Sequence, residues 1–326
     1  LVTSAGNPVL SSPNGARLER ALPKLDFMVA IDWYVNETTR LADVILPPTA
    51  HLERSHYDVL FSSFAVHNSA KYSPAVFDRA SDQRHDWEIC VEVLTRTLRV
   101  PIVSAFARRV LLRSGPEGTL AMALTMGPHG LLRGGLSLRR LRRSPHGVDL
   151  GPLEPRLPHL LRTRGKKVQL APQTFLDDLV RLRKRLDEWS AKSDGLVLIG
   201  RRHLRSNNSW MHNSASLMEG KGRPTCTLLM HPDDAAALDL HHGQVATVVS
   251  SAGSVEAPVE ISDEVMPGVV SLPRGWGHHR EGARLRVAER HAGVSINDVT
   301  DDQFVDVLTG TAAFSGIPVT IHATRV

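Results

Sequence analysis

Over residues 1 to 98 short apolar runs alternate with stretches of helical spacing. Leu1-Val2 reads as the end of a buried strand that breaks into a turn at Gly6, Asn7 and Pro8. Asn14 to Leu22 puts Leu18, Ala21 and Leu22 on one side and predicts a helix. "DFMVAID" (26 to 32) is a continuous apolar run closed by an acid, as in a parallel strand buried on both faces. Asn36 is placed to cap a helix over Glu37 to Leu41, and "ADVILPP" (42 to 48) is a third strand stopped by prolines. Strand and helix alternating at this tempo predict an α/β unit with a doubly wound parallel sheet.

Residues 99 to 192 lose this rhythm. They are rich in Gly, Pro and Arg, with one convincing amphipathic helix at 174 to 190, where Phe175, Leu176, Leu179, Leu182, Leu186 and Trp189 recur at helical spacing. From 193 the pattern turns to period two. "GLVLIG" (195 to 200), "TCTLLM" (225 to 230), "QVATVVS" and "SVEAPVEI" across Ala252-Gly253, and "GVVSLP" (268 to 273) are strands. A helix at Asp233 to Leu240 starts on Pro232 and ends at His242-Gly243. The expected architecture is therefore three zones: a nucleotide-binding-type unit at 1–98, a connector at 99–192, and a compact β-barrel at 193–326.

Composition sharpens this only in places. No apolar run approaches about 18 residues, so no membrane span is expected. Cys90 and Cys226 are the only cysteines, with no CxxC, which excludes a disulfide framework or a cysteine-rich metal site within the chain and makes a reducing cytoplasm the default. The net charge of +5 is uneven: residues 131 to 143 hold five arginines and no acid. Without interleaved aromatics this stretch is expected to be a solvated face or a protein contact, and no nucleic acid is expected. It is expected to be mobile or docked on a partner.

Several clusters are candidates for chemistry. Gly6, Asn7 and Pro8 follow the first strand and Asp32 closes the second, 26 positions on, as phosphate-binding turn and ribose-binding acid do in dinucleotide folds. One glycine where the fingerprint has three leaves a plain strand-to-helix turn equally open. Glu37 and Thr38 lie at the carboxyl edge of the second strand and Asp43 just before the third, where capping competes with binding. Asn207, Asn208, Ser209, Trp210, His212 and Asn213 crowd into seven positions after a buried strand. Such groups donate and accept, which suits a heterocycle; a polar surface loop is the alternative. "PRGWGHH" (273 to 279) has glycines that admit close backbone approach, and Asn297 and Thr300 in "SINDVTDD" are binding groups or an Asx-turn. Spacing alone exposes no catalytic triad or acid pair.

In order along the chain, "SAGNPVLSSPN", "LDFMVAIDWYVNETTRLADVILPPTAHLER", "IGRRHLRSNNSWMHN", "TLLMHPDDAAALDLHHGQVATVVSSAG", "LPRGWGHH" and "SINDVTDD" resemble the molybdopterin-guanine-dinucleotide oxidoreductases, the group of formate dehydrogenase, dimethyl sulfoxide reductase and nitrate reductase. The resemblance covers roughly 1–95 and 195–326. It implies a partial sheet domain followed by a C-terminal double-psi β-barrel, and molybdopterin guanine dinucleotide, carrying molybdenum or tungsten, as cofactor. By it, Gly6, Asn7 and Pro8 meet phosphates, and Asp32 meets ribose or guanine with Glu37, Thr38 and Asp43 nearby. Arg201 and the loop of Asn208, Ser209, Trp210, His212 and Asn213 grip pterin and phosphates, and Asn297 and Thr300 line the other pterin. A Tyr-Lys pair of some relatives is replaced by Phe314-Ser315. The iron–sulfur segment and the residue that ligates the metal are expected upstream or in another subunit. This chain is accordingly expected to be the cofactor-binding part of such an enzyme, without activity alone, in the cytoplasm. A non-catalytic nucleotide-binding or interaction module, or a degenerate fragment, is the alternative.

Overall fold

The computed structural model describes the chain except residues 98–100, 131–133, 192–194, 221, 223–224 and 325–326. The expected boundaries at 98/99 and 192/193, and the first three residues of the basic stretch, lie outside the described residues. By compactness the chain forms two units: Leu1–Ile45 with Gln169–Val326, and Leu46–Val168.

The first unit begins with three parallel strands, β1 (Val2–Ser4), β2 (Val29–Ile31) and β3 (Val44–Ile45), in that spatial order. The connection from β1 to β2 carries the helices Pro8–Ser11 and Gly15–Ala21. Pro8 stands at the first helical position, where a missing N–H costs nothing. Asn14 caps the second helix by accepting from the Arg17 N–H. Gly15 has no substitute there: a Cβ would lie 2.1 Å from the Val9 carbonyl oxygen. Val9, Leu22 and Met28 bury together beneath these helices. The helix expected over Glu37 to Leu41 is only a 3₁₀ turn, Thr39–Leu41. Asn36 does cap it, its Oδ1 accepting from the N–H groups of Thr38 and Thr39 at 2.9 Å each. The chain re-enters β3 three residues after this turn, which leaves room for no more.

The second unit carries two small antiparallel ladders, β4 (His56–Tyr57) with β6 (Tyr72–Ser73) and β5 (Ser69–Ala70) with β7 (Val148–Asp149). Local helices are expected between 99 and 192, and they include more than the one amphipathic helix that the pattern displays. Helix Pro101–Met126 runs 26 residues, broken at Gly115, whose φ of 58° precedes Pro116. Its apolar residues follow no clean helical period, and Gly-Pro reads as a stop. The described part of the basic stretch includes an ordered helical turn. Ser137 caps a short helix, Leu138–Arg142, whose Leu138 and Leu141 bury in the unit's core while Arg139, Arg140 and Arg142 face outward.

Returning to the first unit, six strands close into a barrel: β8 (Leu196–Arg201), β9 (Leu228–Met230), β10 (Val245–Val249), β11 (Ser254–Ile261), β12 (Val269–Pro273) and β13 (Ile317–Ala323). Around it the order is β10, β11, β9, β12, β8, β13. β9 pairs with β11 and β8 with β12 in parallel; the other pairs are antiparallel. Period-two burial puts Ala246 and Val248, Val255, Ala257 and Val259, and Ile317, Val319 and Ile321 into one core with Leu198, Leu228, Met230, Val270 and Leu272. A slip of one residue would turn each of these sets to solvent. The expected helix Asp233 to Leu240 ends earlier, as Pro232–Ala237, because Asp239 adopts a φ of 53° and the Leu240 N–H folds back to Ala235 O.

Helix Gln173–Ala191 forms as expected, but with its leucines outward. Arg181 reaches Asp306 at 3.4 Å and the Arg185 guanidinium lies 4.6 Å from the Phe304 ring centre, so the charged side meets the unit while Phe175, Leu176, Leu179 and Leu182 stay exposed. No described helix is long and apolar enough to cross a membrane.

Candidate functional site

Residues 1–45 meet the barrel through a chain of buried polar groups. Glu37 is fully buried, and its Oε2 accepts from Asn7 Nδ2 at 2.7 Å. Asn7 Oδ1 accepts from the Thr38 hydroxyl, which accepts in turn from the Val9 N–H. The amide of Asn7 is thus committed to Glu37 and Thr38, and its side chain makes no helix-capping bond. On the other side Glu37 Oε1 lies 2.8 Å from Nδ1 of His278, and His278 Nε2 lies 2.9 Å from Nδ1 of His212. His278 Nε2 also lies 3.0 Å from the Gly275 carbonyl oxygen. His212 and His278 are both almost wholly buried, and Trp276 packs edge-on against His212 with ring centres 4.5 Å apart. Two nitrogens here, His212 Nε2 and Trp276 Nε1, are buried with no partner.

Burial alone would raise the Glu37 carboxyl, but His278, its own backbone N–H and Asn7 hold it below the usual carboxylate value. Burial, then the neighbouring His278, pushes His212 down to about 3 from an ordinary 6.5. Both shifts act on stability in one direction. Unfolded His212 takes up a proton below about 6.5 while the native ring does not until about 3, so stability falls as pH drops through that window. Glu37 adds stability that is present above 4.5 and lost as pH falls through its lower folded value. We expect urea midpoints to fall from pH 7 to pH 5, with His212 contributing up to about 1.4 kcal/mol per pH unit. His212→Gln should flatten that slope; a wild-type midpoint unmoved between these pH values would refute the assignment.

The two histidines are positioned by a folded-over loop and a glycine-flanked tryptophan. Residues 207–213 form a 3₁₀ segment interrupted at Asn208 (φ 65°) and Ser209 (φ 121°), a conformation that L side chains rarely adopt. Gly275 lets "PRGWGHH" press against that segment: a Cβ there would lie 2.8 Å from Ser209 N. A Cβ on Gly277 would lie 2.8 Å from Ser295 Cβ and 3.2 Å from Leu10. Further ties hold residues 1–45 to the barrel. Asn297 Nδ2 donates to Leu10 O at 2.6 Å, Arg280 pairs with Glu19 and Asp298, and the Arg284 N–H donates to Val35 O at 2.7 Å.

The residues singled out from the sequence therefore fall into groups. Asn7, Glu37, Thr38 and His212 converge on one buried chain. Asp32 is half-buried near it, accepting from the Trp33 N–H and from Asn36 Nδ2. Gly6 and Pro8 flank Asn7, half-buried. Asn208 and Trp210 are exposed on the strained loop, with Ser209 half-buried between them. Others bind their own neighbours. Asp43 accepts from the Met28 N–H, and Asn213 Oδ1 accepts from the N–H groups of Val287 and Ala288. Asn297 and Thr300 bond Leu10 and Ile296. Arg201 donates to the carbonyls of Ser271 and Thr227 and to the Thr227 hydroxyl, inside the barrel wall. At the Phe314-Ser315 position, Arg274 lies over the Phe314 ring and donates to Phe314 O. Trp276 and His278 lie within "PRGWGHH", yet neither stands out there as a site residue. A histidine that follows a glycine and faces an acid 241 positions away leaves no local signal.

These features define a class: a parallel α/β unit and a closed mixed barrel that share one buried polar site. Residues 2–96 match the family model described as "Molybdopterin oxidoreductase", and residues 196–318 match "Molydopterin dinucleotide binding domain". The chain belongs to the molybdopterin oxidoreductases. It is 33% identical over 93 residues to the assimilatory nitrate reductase catalytic subunit of Bacillus subtilis, covering 28% of this chain and 12% of that protein. It is 24% identical to the dimethyl sulfoxide/trimethylamine N-oxide reductase of Rhodobacter capsulatus, covering 89% of this chain and 37% of the relative. The acetylene hydratase structure from Pelobacter acetylenicus has the same fold over 99% of this chain and 44% of its own, with a TM-score of 0.68 at 17% identity. The chain thus spans less than half the length of each of these relatives.

Proposed function

We propose that this chain is the cofactor-binding part of a molybdopterin-dependent oxidoreductase, and that it takes the guanine dinucleotide form of the cofactor. The observation that carries this reading is the pair of buried, unpartnered ring nitrogens, His212 Nε2 and Trp276 Nε1, at the junction of the two segments the family models match. An orphaned buried polar atom is costly, and a pterin, dense in donors and acceptors, is a ligand that answers it. When bound, the cofactor supplies the two-electron chemistry at molybdenum or tungsten. The chain's own residues bind and orient it.

In this reading His212 and Trp276 face the pterin. The turn at Gly6, Asn7 and Pro8, with Asp32, serves one dinucleotide, and Asn208, Ser209 and Trp210 serve the other approach. Glu37, Thr38 and Asp43 act behind that turn. Arg201, Asn213, Asn297 and Thr300 contribute by holding strands and turns in place. The parallel pairs β8–β12 and β9–β11 within an otherwise antiparallel barrel support the double-psi topology. We assign 1–98 and 193–326 as the two binding parts, with 99–192 joining them. An iron–sulfur cluster and the metal's protein ligand belong to an upstream portion or to another polypeptide, and two free cysteines support a reducing, cytoplasmic setting.

The test is to mix the purified chain with molybdopterin guanine dinucleotide released from a known enzyme. Pterin fluorescence should change on binding and the melting temperature should rise with cofactor concentration. Turnover of nitrate or formate with a viologen should be absent until the missing portion is supplied. A folded chain that leaves the pterin signal and its own melting point unchanged would overturn the proposal.

A further inference from the structure

The buried chain Asn7, Glu37, His278, His212 has a direction that its hydrogen bonds determine. Glu37, held as carboxylate, only accepts, so His278 Nδ1 carries a proton toward Oε1. His278 Nε2 then faces two neighbours, His212 Nδ1 at 2.9 Å and Gly275 O at 3.0 Å. A bare Nε2 would set its lone pair against the Gly275 carbonyl, which can only accept. A protonated Nε2 satisfies the carbonyl and donates to His212 Nδ1 as well. His212, the more deeply neutral of the pair, must then carry its own proton on the remaining nitrogen, Nε2, which has no partner in the protein.

We propose that Glu37 and His278 are positioning residues that fix His212 as the Nε2–H tautomer, so that it presents one preset hydrogen-bond donor toward the ligand site. The ligand side rests on the function proposed above; the tautomer does not. The arrangement follows the pattern in which a carboxylate orients an imidazole whose far nitrogen acts, extended here by a second ring. Asn7 and Thr38 belong to the same device, because their mutual bonds leave the Asn7 amide hydrogen for Glu37. Asn7, Glu37 and Thr38 come from the sheet end of the chain, and the two histidines come from the barrel end. The donor is therefore set only when both are folded together.

The experiment is nitrogen-15 NMR of the full chain labelled at histidine, without cofactor. Two-bond couplings report which ring nitrogen carries hydrogen. For wild-type protein, His212 should show a protonated Nε2 and a bare Nδ1. In Glu37→Gln, which keeps size but replaces the anionic acceptor at His278 Nδ1 by a neutral amide, His212 should switch toward the Nδ1–H form, donating to His278 Nε2. Circular dichroism and melting establish that this variant is folded. A wild-type His212 protonated at Nδ1, or a folded Glu37→Gln whose His212 is unchanged, would overturn the inference. If Glu37→Gln does not fold, the wild-type spectrum decides alone. Failure of pterin binding with the Nε2–H tautomer present would count against the proposed function and leave this inference standing.

Discussion

Replacing Glu37 with alanine should lower the stability of the chain by roughly 3–5 kcal/mol, because it strands a buried imidazole and the Asn7 amide without their shared acceptor. The same loss is expected for His278→Ala, which strands the carboxylate instead. The two do not add. A double variant, Glu37→Ala with His278→Ala, removes both polar partners and should lose less than the sum of the two single losses, since neither group is left buried without its partner. Urea unfolding of the four proteins closes the cycle. Additive losses would mean that the 2.8 Å contact contributes nothing and that each side chain acts through packing alone.

Gly275→Ala should be the second severe change, at roughly 2–5 kcal/mol, combining a left-handed backbone penalty with overpacking against main chain. The φ of 86° disfavours any side chain, and the new Cβ would meet Ser209 N at 2.8 Å and Asn208 C at 2.9 Å. Neither neighbour is the flexible end of a side chain, so the 207–213 loop must shift as a body. Chemical denaturation measures the stability loss. A crystal structure of the variant should show that loop displaced, whereas Gly282→Ala, whose nearest neighbour is the tip of Arg40 at 3.8 Å, should leave it in place. A Gly275→Ala protein as stable as wild type would mean that the strain at Asn208 and Ser209 is not maintained by this contact.

Much of the architecture is legible in the residues. The period-two burial of Val255, Ala257 and Val259 is visible in "SVEAPVEI", as is the parallel-strand character of "FMVAI". Strand β13 escapes such a reading because Pro318, Thr320 and His322 alternate weakly with its apolar residues and Gly-Ile-Pro suggests a turn. Helix Pro101–Met126 is hidden by its Gly-Pro break and by apolar residues on all sides. At the site, Asn7, Glu37 and His212 can be picked out as chemically apt, but not their partners. Glu37 and His278 meet across 241 positions, and no local period encodes such a contact. Arg201 is singled out by the resemblance alone; no local pattern reveals that its guanidinium answers three oxygens of the barrel wall.

The place of β13 bears on how the molecule is made. It lies between β8 and β10 and pairs with both. Until residues 317–323 have been synthesised, each of those strands carries an open row of backbone groups that invites pairing with another chain. Nascent protein therefore passes through a stage in which most of the barrel's strands exist but cannot seal, and pairing between chains is the hazard of that interval.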